Sequence, residues 1–368
     1  MRNHVPEEEF LFEFFGNHGR ILGNPPFEGK KRYFTDNPND IFKCIEFAKT
    51  NKLPAFISVQ PFRNFSTIAG IEKIFYDFDY GSKSDKFTEE EIIKKSKELD
   101  EEVAKFINML LLVKITPLIV KTRKGYQIHI FLDRVYSLNC EKDFYRDLYK
   151  TLMGEIIDRY ERYYSDKLKY LDYSSYGDVI RVCRIPLSIH QVSGEKCKIL
   201  KLNQKTMKFE EEKLRGIGHH KIFGIKEFDV YAAIKKTEKK RKIEKEEREK
   251  NLKEFEEIKK YNNDQFKIRA CFENSINLHE MPHSQRLALL SEAWYAGYRN
   301  SSQLIELFIK MNDFDIEKTT YYIEYFLKRR DYEKYPPYRC STIQNKGWCL
   351  KSNQCEIWRK KYGQESKA

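Results

Sequence analysis

The sequence predicts two domains of different class: a mixed α/β (α+β) domain over residues 1–230 and a mostly α-helical domain over residues 262–360. Strand-like and helix-like patterns alternate up to about residue 230, whereas helical periodicity dominates the later part. Between them, residues 235–260 hold 20 charged side chains out of 26 and no Gly or Pro. Such a stretch is typical of a solvated helix with Glu–Lys pairs. It predicts a charged helical linker over residues 231–261, and residues 361–368 form a tail.

The overall charge favours a polyanionic partner. Lys and Arg number 68 against 56 Asp and Glu, which gives a net charge of +12, and phosphates are held by release of counterions onto such cations. The 40% hydrophobic content excludes wholesale disorder. The N-terminus is acidic where a signal peptide needs a basic start, and no apolar stretch could span a bilayer. We therefore expect a soluble, cytoplasmic protein with no membrane partner.

The elements of the first domain can be placed from local patterns. Aromatic and β-branched runs indicate strands, a Thr-x-x-Glu sequence indicates a capped helix start, and Gly after basic residues indicates a tight turn. The predicted elements are a strand over 73–80, a helix from the Thr88/Glu91 capping box toward Leu112, strands over 116–120 and 126–132 joined by the turn TRKG, and an amphipathic helix over 141–164.

The first candidate for chemistry is the pair Asp77 and Asp79 in FYDFDY. Residues two apart on a strand project from the same face, so the two carboxylates lie together. Two neighbouring carboxylates repel unless a cation lies between them, and Mg²⁺ or Mn²⁺ would fit oxygen ligands. An isolated Asp-x-Asp is more often a solvent-facing pair at a strand end, so this motif needs support from elsewhere.

The second candidate is the hairpin KTRKGYQIHIFL, over residues 121–132. Gly125 permits a tight turn, and the backbone amides with Arg123 and Lys124 could cradle a triphosphate. Gln127 and His129 share one face of the strand that follows. An ordinary basic hairpin would have the same composition.

The third candidate is the stretch LDYSSYGDVIRVCRIPLSIHQVSG, over residues 171–194. A carboxylate followed by two arginines and a histidine within twenty residues could bring a metal ligand and triphosphate-binding cations to one place. As a purely structural segment it would be unusual, because it places many polar groups on short apolar strands. The polar candidates are Asp172, Asp178, Arg181, Arg184, Ser188 and His190.

These three stretches resemble the three motifs of the small, catalytic subunit of archaeo-eukaryotic DNA primases. The third stretch matches the family motif R-L-x-R-x-P-x-S-x-H at its spacing, with Asp172 before it. The resemblance implies that Asp77, Asp79 and Asp172 are the catalytic, metal-holding residues. It also implies that Arg123, Lys124, Arg181, Arg184, Ser188 and His190 bind the nucleotide. Gln127 stands where the family has histidine, so either Gln127 or His129 takes that role.

Eight cysteines are present, and four of them lie in the C-terminal part. In a cytosolic chain such a set is more often a metal site than a pair of disulfides. Spacing alone would favour structural zinc, although the 69-residue gap after the first cysteine is too long for a zinc ribbon or finger. The four candidates are Cys271, Cys340, Cys349 and Cys355.

This second part resembles the C-terminal domain of the primase large subunit. The resemblance rests on MPHSQRLAL with His283 and Arg286, TTYYIEYFL with Tyr321, and YPPYRCSTIQNKGWC. It implies a 4Fe–4S cluster held by the four cysteines, and a site for the 5′-terminus of the primer at His283, Arg286 and Tyr321. Both resemblances in one short chain are similar to the fused single-chain primases of nanoarchaea.

Together these resemblances predict a DNA primase that makes short RNA primers de novo. The expected cofactors are two Mg²⁺ or Mn²⁺ ions and the 4Fe–4S cluster. The expected partners are single-stranded DNA template, nucleoside triphosphates and the primer duplex, with the chain a monomer that contacts other replication proteins. The alternatives are a primase-polymerase that extends mainly with dNTPs and a non-catalytic nucleic-acid-binding protein. Three retained aspartates oppose the latter, because clustered negative charge repels phosphate.

Overall fold

The computed structural model describes residues 6–24, 31–81, 87–138, 140–190, 194–212, 230–261, 268–277, 281–309, 311–329, 331–349 and 355. Contacts between Cα atoms divide the chain into two compact units, Met1–Glu238 and Lys239–Ala368. The first unit is mixed α/β and the second, in its described part, contains helices without strands. The predicted tail, residues 361–368, lies outside the described residues. None of the described helices is both long and apolar enough to cross a membrane.

In its described residues, the first unit contains two sheets, a 3-10 turn and four helices before the long charged one. Its helices are α1 (Pro6–Phe15), α2 (Asn39–Thr50), α3 (Glu89–Leu112) and α4 (Lys142–Tyr164). Its strands are β1 (Arg20–Gly23), β2 (Arg32–Thr35), β3 (Phe56–Ser58), β4 (Ile71–Asp79), β5 (Leu118–Lys121), β6 (Gly125–Tyr136), β7 (Val182–Arg184), β8 (Lys198–Asn203) and β9 (Lys208–Glu211).

The strands form a four-stranded sheet, β2-β1-β3-β7, and a five-stranded sheet, β4-β6-β5-β8-β9. All of the strand pairs within them are antiparallel. One face of the five-stranded sheet packs with α3 and α4. The opposite face packs with the four-stranded sheet, α1 and α2. The alternation of a strand places Tyr76 in the first of these cores and Phe75 in the second.

The predicted elements of the first unit are present. Thr88 and Glu91 form a reciprocal capping box at the start of α3, which ends at Leu112 as predicted. The strands predicted over 116–120 and 126–132 are β5 and β6, and β6 continues four residues further to Tyr136. The four-stranded sheet was not predicted, because its strands are only three or four residues long and show no sustained alternation.

The charged segment is one helix, α5 (Val230–Tyr261). Its first turns pack in the first unit, where Val230 and Ala233 are buried and Thr237 donates to the carbonyl oxygen of Ala233. The boundary between the two units falls inside this helix. The helices after it are α6 (Ala270–Asn277), α7 (His283–Tyr295), α8 (Ser301–Glu306), α9 (Ile316–Lys328), α10 (Asp331–Lys334) and α11 (Cys340–Asn345).

Candidate active site

Asp77 and Asp79 lie at the carboxyl end of β4, as the strand pattern predicted. Pairing with β6 places Asp77 opposite Gln127 and Asp79 opposite Gly125. The Asp77 side chain is 24% exposed, whereas Asp79 is exposed. The two carboxylates therefore share one strand face and differ in their access to water.

Asp172 is brought to this strand end by backbone hydrogen bonds. The Asp79 amide donates to the carbonyl oxygen of Tyr170 at 3.0 Å, and the Asp172 amide donates to the carbonyl oxygen of Asp77 at 2.8 Å. The segment around Leu171 thus continues the five-stranded sheet beyond β4 for a short distance. The Asp172 carboxylate also accepts from the Ser174 amide at 2.9 Å, which caps a 3-10 turn. Residues almost a hundred positions apart therefore present neighbouring carboxylates.

Arg181 lies between two of these carboxylates. Its Nη2 atom is 2.7 Å from Oδ2 of Asp172 and 3.4 Å from Oδ2 of Asp77. Burial raises the pKa of Asp77 to about 6, although the Arg181 charge acts in the opposite direction. For Asp172, burial raises the pKa, but hydrogen bonds from Ser174 and the Arg181 charge outweigh it, so the pKa is lowered. The carboxylates of Asp77 and Asp172 are thus arranged around the guanidinium of Arg181.

This geometry bears on the predicted metal. Asp77 and Asp172 provide hard oxygen ligands around a point that already attracts a positive group, which suits Mg²⁺ or Mn²⁺. Within the described residues, however, no group of three or more His, Cys, Asp and Glu side chains is close enough to hold a metal ion. Two carboxylates thus fit a divalent ion in the position of the Arg181 guanidinium, and Asp79 is not gathered with them.

The predicted basic turn joins β5 to β6 directly beside this site. The Thr122 amide donates to the carbonyl oxygen of Gly125 at 2.9 Å, which leaves Arg123 and Lys124 at the tip. Gly125 is required there, because a Cβ atom would lie 1.8 Å from the carbonyl oxygen of Phe78 on β4. The tip is close to the carboxylates. Burial and the Asp79 charge raise the pKa of Tyr80, and the Arg123 charge lowers it.

Gln127 and His129 have different environments although they share a strand face. Gln127 faces Asp77 across the strand pair, is 6% exposed, and its Oε1 atom has no hydrogen-bond partner. His129 is completely buried, with its ring centroid 5.9 Å from that of Phe15 and 5.0 Å from that of Phe75. Burial lowers the pKa of His129 well below its usual value. The structure brings Gln127 to the carboxylates and places His129 in the core behind them.

Arg184 approaches the site from the other sheet. On β7 it pairs with Phe56, and its guanidinium lies 5.5 Å from the centre of that ring. Burial lowers the pKa of Arg184, while the nearby charge of Asp77 opposes this change. A second cation thus lies within electrostatic reach of Asp77 in addition to Arg181.

The residues after β7 form a strained turn. The Ser188 amide donates to the carbonyl oxygen of Ile185 at 3.2 Å, and Leu187 has a φ of +68°. With Pro186 before it, this is a type II turn that carries leucine where glycine is usual. The buried Ser188 hydroxyl donates to the same carbonyl oxygen at 2.6 Å. Ser188 therefore holds the turn, and its role in nucleotide binding stays a prediction.

His190 follows this turn, and its backbone is held by two hydrogen bonds. Its amide donates to the carbonyl oxygen of Glu195 at 2.8 Å, and its own carbonyl oxygen accepts from the Gly194 amide at 2.9 Å. The His190 side chain is half-buried. The His190 backbone thus pairs with Gly194 and Glu195 close to the strained turn.

In the second unit, His283 and Arg286 line one cavity of about 440 Å³. His283 is the first residue of α7, and Arg286 lies one turn later on the same face. The Arg286 guanidinium donates to the carbonyl oxygen of Met281 at 2.8 Å and to Asp313 at 2.6 Å. Further residues that line this cavity are Asp315, Lys318 and Tyr322.

Tyr321 is not among the residues that line this cavity. Its side chain is 63% exposed, and its ring is nearly parallel to that of Tyr325, with centroids 6.2 Å apart. The neighbouring Tyr322 lines the cavity and has a ring contact with His283. Sequence reasoning missed Tyr322, because two adjacent tyrosines on a helix cannot be distinguished before the helix face is known.

In the described part of the chain, none of the four C-terminal cysteines forms a disulfide. Burial raises the pKa of Cys271 to about 12, with smaller effects from Arg269, Glu292, Cys340 and Cys355. Three of the thiols are therefore near one another. The part of the chain that the structure describes includes all four cysteines, but it does not gather three of them closely enough to hold a metal ion.

A buried ion pair lies among these thiols. The Arg269 guanidinium is 2.6 Å from the Glu292 carboxylate, and it also donates to Sγ of Cys340 at 3.7 Å. Glu292 additionally accepts from the Arg269 amide at 2.7 Å. The pair fixes the start of α6, which carries Cys271, against α7.

Comparison with known proteins adds little. No protein-family model matches the sequence, and no curated protein matches it. Among solved structures, the chain is similar to the crystal structure of primase RepB′, with a TM-score of 0.35 and 9% sequence identity over 88% of this chain and 93% of that chain. Similarity at this level carries no argument about fold or function.

Proposed function

We propose that this chain is a DNA primase that synthesises short RNA primers de novo on single-stranded DNA. The observation that carries the proposal is the convergence of Asp77 and Asp172 on one cation, next to the basic hairpin tip. A nucleotidyl-transfer site needs clustered carboxylates for divalent ions and cations for the triphosphate. The motif resemblance indicates which reaction is catalysed, and the convergence of Asp77 and Asp172 indicates where it would take place.

In this proposal Asp77 and Asp172 would hold the divalent ions, and Asp79, on the same strand face as Asp77, would join them once the ions are bound. Bound there, two such ions would lower the pKa of the attacking 3′-hydroxyl and stabilise the leaving pyrophosphate. Asp77 supports this assignment, because burial raises its pKa to about 6 and a bound cation would offset the cost of its buried charge. Arg181 would then release the carboxylates and be free to contact the triphosphate.

Cations near the carboxylates would bind the incoming nucleotide. Arg123 and Lys124 lie at the hairpin tip, and Arg184 lies on the opposite sheet within the field of Asp77. Gln127 pairs with Asp77 across the strands and its amide oxygen has no hydrogen-bond partner, so it would orient a water molecule or a ribose hydroxyl. Together these groups would place the triphosphate in line with the hydroxyl that attacks it.

The second unit would hold the first nucleotide of the primer. The cavity near His283 and Arg286 has the size of ordinary ligand pockets. Both side chains can donate to the 5′-triphosphate, which is present when a chain starts and is not needed later. Gathering two free nucleotides is entropically costly, and a second site would reduce that cost. Cys271, Cys340, Cys349 and Cys355 would hold a 4Fe–4S cluster that supports this region.

The test is primer synthesis on single-stranded DNA with labelled NTPs and, separately, dNTPs. Asp77→Asn and Asp172→Asn should each reduce nucleotide transfer at least about 100-fold, because each removes an anionic metal ligand. Single-stranded DNA binding should stay equal or rise slightly. Asp158→Asn, at an exposed position on α4, is the matched control and should keep normal activity.

Near-normal synthesis by Asp172→Asn would show that the third stretch is not part of the active site. Preferential incorporation of dNTPs on a supplied primer would favour the primase-polymerase alternative. DNA binding without any nucleotide transfer would favour the non-catalytic one.

A further inference from the structure

The backbone of the segment that delivers Asp172 is held by a carboxylate on α3, that of Glu102, while the side chains of Lys169 and Tyr170 contact Glu98 on the same helix. The two oxygens of Glu102 accept one backbone amide each, from Lys169 at 2.7 Å and from Tyr170 at 2.9 Å. The carbonyl oxygen of Tyr170 accepts from the Asp79 amide at 3.0 Å. Tyr170 is therefore fixed on one side by the helix and on the other by β4, two residues before Asp172.

The same helix holds the basic hairpin through a different carboxylate. Asp100 accepts from Nζ of Lys121 at 2.9 Å and from the hydroxyl of Tyr126 at 2.5 Å. These two residues stand opposite each other on β5 and β6, directly before and after the turn that carries Arg123 and Lys124. Asp100 thus joins the base of the hairpin to α3.

Helix α3 is a firm support for both contacts. Its capping box fixes its first turn, and its later part packs into the core under β4. The ring of Phe106 lies 5.1 Å from that of Tyr76 and 5.3 Å from that of Phe78, measured between centroids. Displacement of either carboxylate would require movement of a packed helix.

We propose that Glu102 and Asp100 are positioning residues for nucleotidyl transfer. Glu102 sets the place of Asp172, and so the affinity for divalent ions. Asp100 sets the place of Arg123 and Lys124, and so the affinity for the triphosphate. This inference rests on the proposed function for its catalytic readout, but its structural part can be measured without catalysis.

The first arm of the test uses Glu102→Gln, with Glu101→Gln at the neighbouring exposed position as the matched control. Glutamine has one acceptor oxygen in place of two, so one amide of residues 169–170 loses its partner. Hydrogen exchange of these amides should accelerate at least about tenfold, as expected for a lost native hydrogen bond. The dissociation constant for Mn²⁺, measured by calorimetry without nucleotide, should rise about tenfold or more, the usual effect of removing a group that orients a metal ligand.

The second arm uses Asp100→Asn. The KM for NTP should rise about tenfold, while the Mn²⁺ dissociation constant stays within about twofold of wild type, because this contact supports the cations and not the carboxylates. Glu102→Gln should show the opposite pattern. If Glu102→Gln does not fold, Glu102→Asp, which keeps the charge and shortens the reach, serves in its place.

Unchanged exchange at residues 169–170 would overturn the inference. So would an equal change of Mn²⁺ affinity and KM in both variants, in proportion to their loss of thermal stability. If wild type transfers no nucleotide but Glu102→Gln still weakens Mn²⁺ binding, the proposed function fails and the role of Glu102 stands.

Discussion

At Asp77 the fold keeps a carboxyl group in an environment that opposes its ionisation. Burial raises its pKa to about 6, and the shared guanidinium of Arg181 offsets only part of that effect. Such a shift is typical of functional sites, where a charged ligand or substrate is expected to complete the balance. The ionised Asp77 carboxylate thus lowers the stability of the folded protein until a cation binds.

This environment predicts an unusual dependence of stability on pH. The pKa of Asp77 is raised in the folded state, so between about pH 4 and pH 6 the folded protein binds more protons than the unfolded chain. Its contribution to the free energy of unfolding therefore falls as pH rises through that window. Asp77→Asn should raise the free energy of unfolding by about 3 kcal/mol at pH 7, with little gain at pH 4.

Urea unfolding at both pH values, in buffer with a chelator, measures this difference. Asp158→Asn on the exposed face of α4 is the control and should be neutral at both. An Asp77→Asn variant that is less stable than wild type at pH 7 would show that Arg181 already compensates the carboxylate fully.

Some helices and strands could be predicted from the sequence, and others could not. The strand of Asp77, the Thr88 capping box and the turn before Gly125 each depend on local patterns, and each is confirmed. The four-stranded sheet depends on contacts between distant three- and four-residue strands. Its existence could therefore not be predicted from any local window.

The same distinction applies to the candidate site. Motif spacing identified Asp77 and Asp172, but it could not show that Arg181 lies between them. It could not separate Gln127 from His129, because both project from the same strand face. The contacts of Glu102 could not be predicted, because it lies in a charged helix with many similar carboxylates and its partners are backbone amides.

The four C-terminal cysteines lead to a prediction about metal content. Cys271 lies near Cys340, Cys355 and the buried Arg269–Glu292 pair. Protein purified without oxygen should contain about four irons per chain and absorb broadly near 400 nm, as a cubane cluster does. Elemental analysis is the measurement. A result of one zinc per chain without iron would show that the cysteines form a structural zinc site and not an iron–sulfur cluster.

At the scale of the whole molecule, the chain combines two compact units joined within one charged helix. Each unit has its own hydrophobic core. The first contains the carboxylates and the hairpin, and the second contains the cavity beside Arg286. The proposed division of labour assigns nucleotide transfer to the first unit and the grip on the initiating nucleotide to the second.

The measurement that tests this account most directly compares dinucleotide synthesis with extension of a supplied primer. Arg286→Ala removes a cation that would contact the 5′-triphosphate, worth about tenfold or more in initiation. Asp313→Asn, which removes the carboxylate partner of Arg286 and keeps the cation, is the control and should not reduce initiation. The account predicts that wild type joins two free NTPs on single-stranded DNA, and that Arg286→Ala loses this step while extension stays within about twofold. Equal loss of both activities, or a wild type that only extends primers, would contradict it.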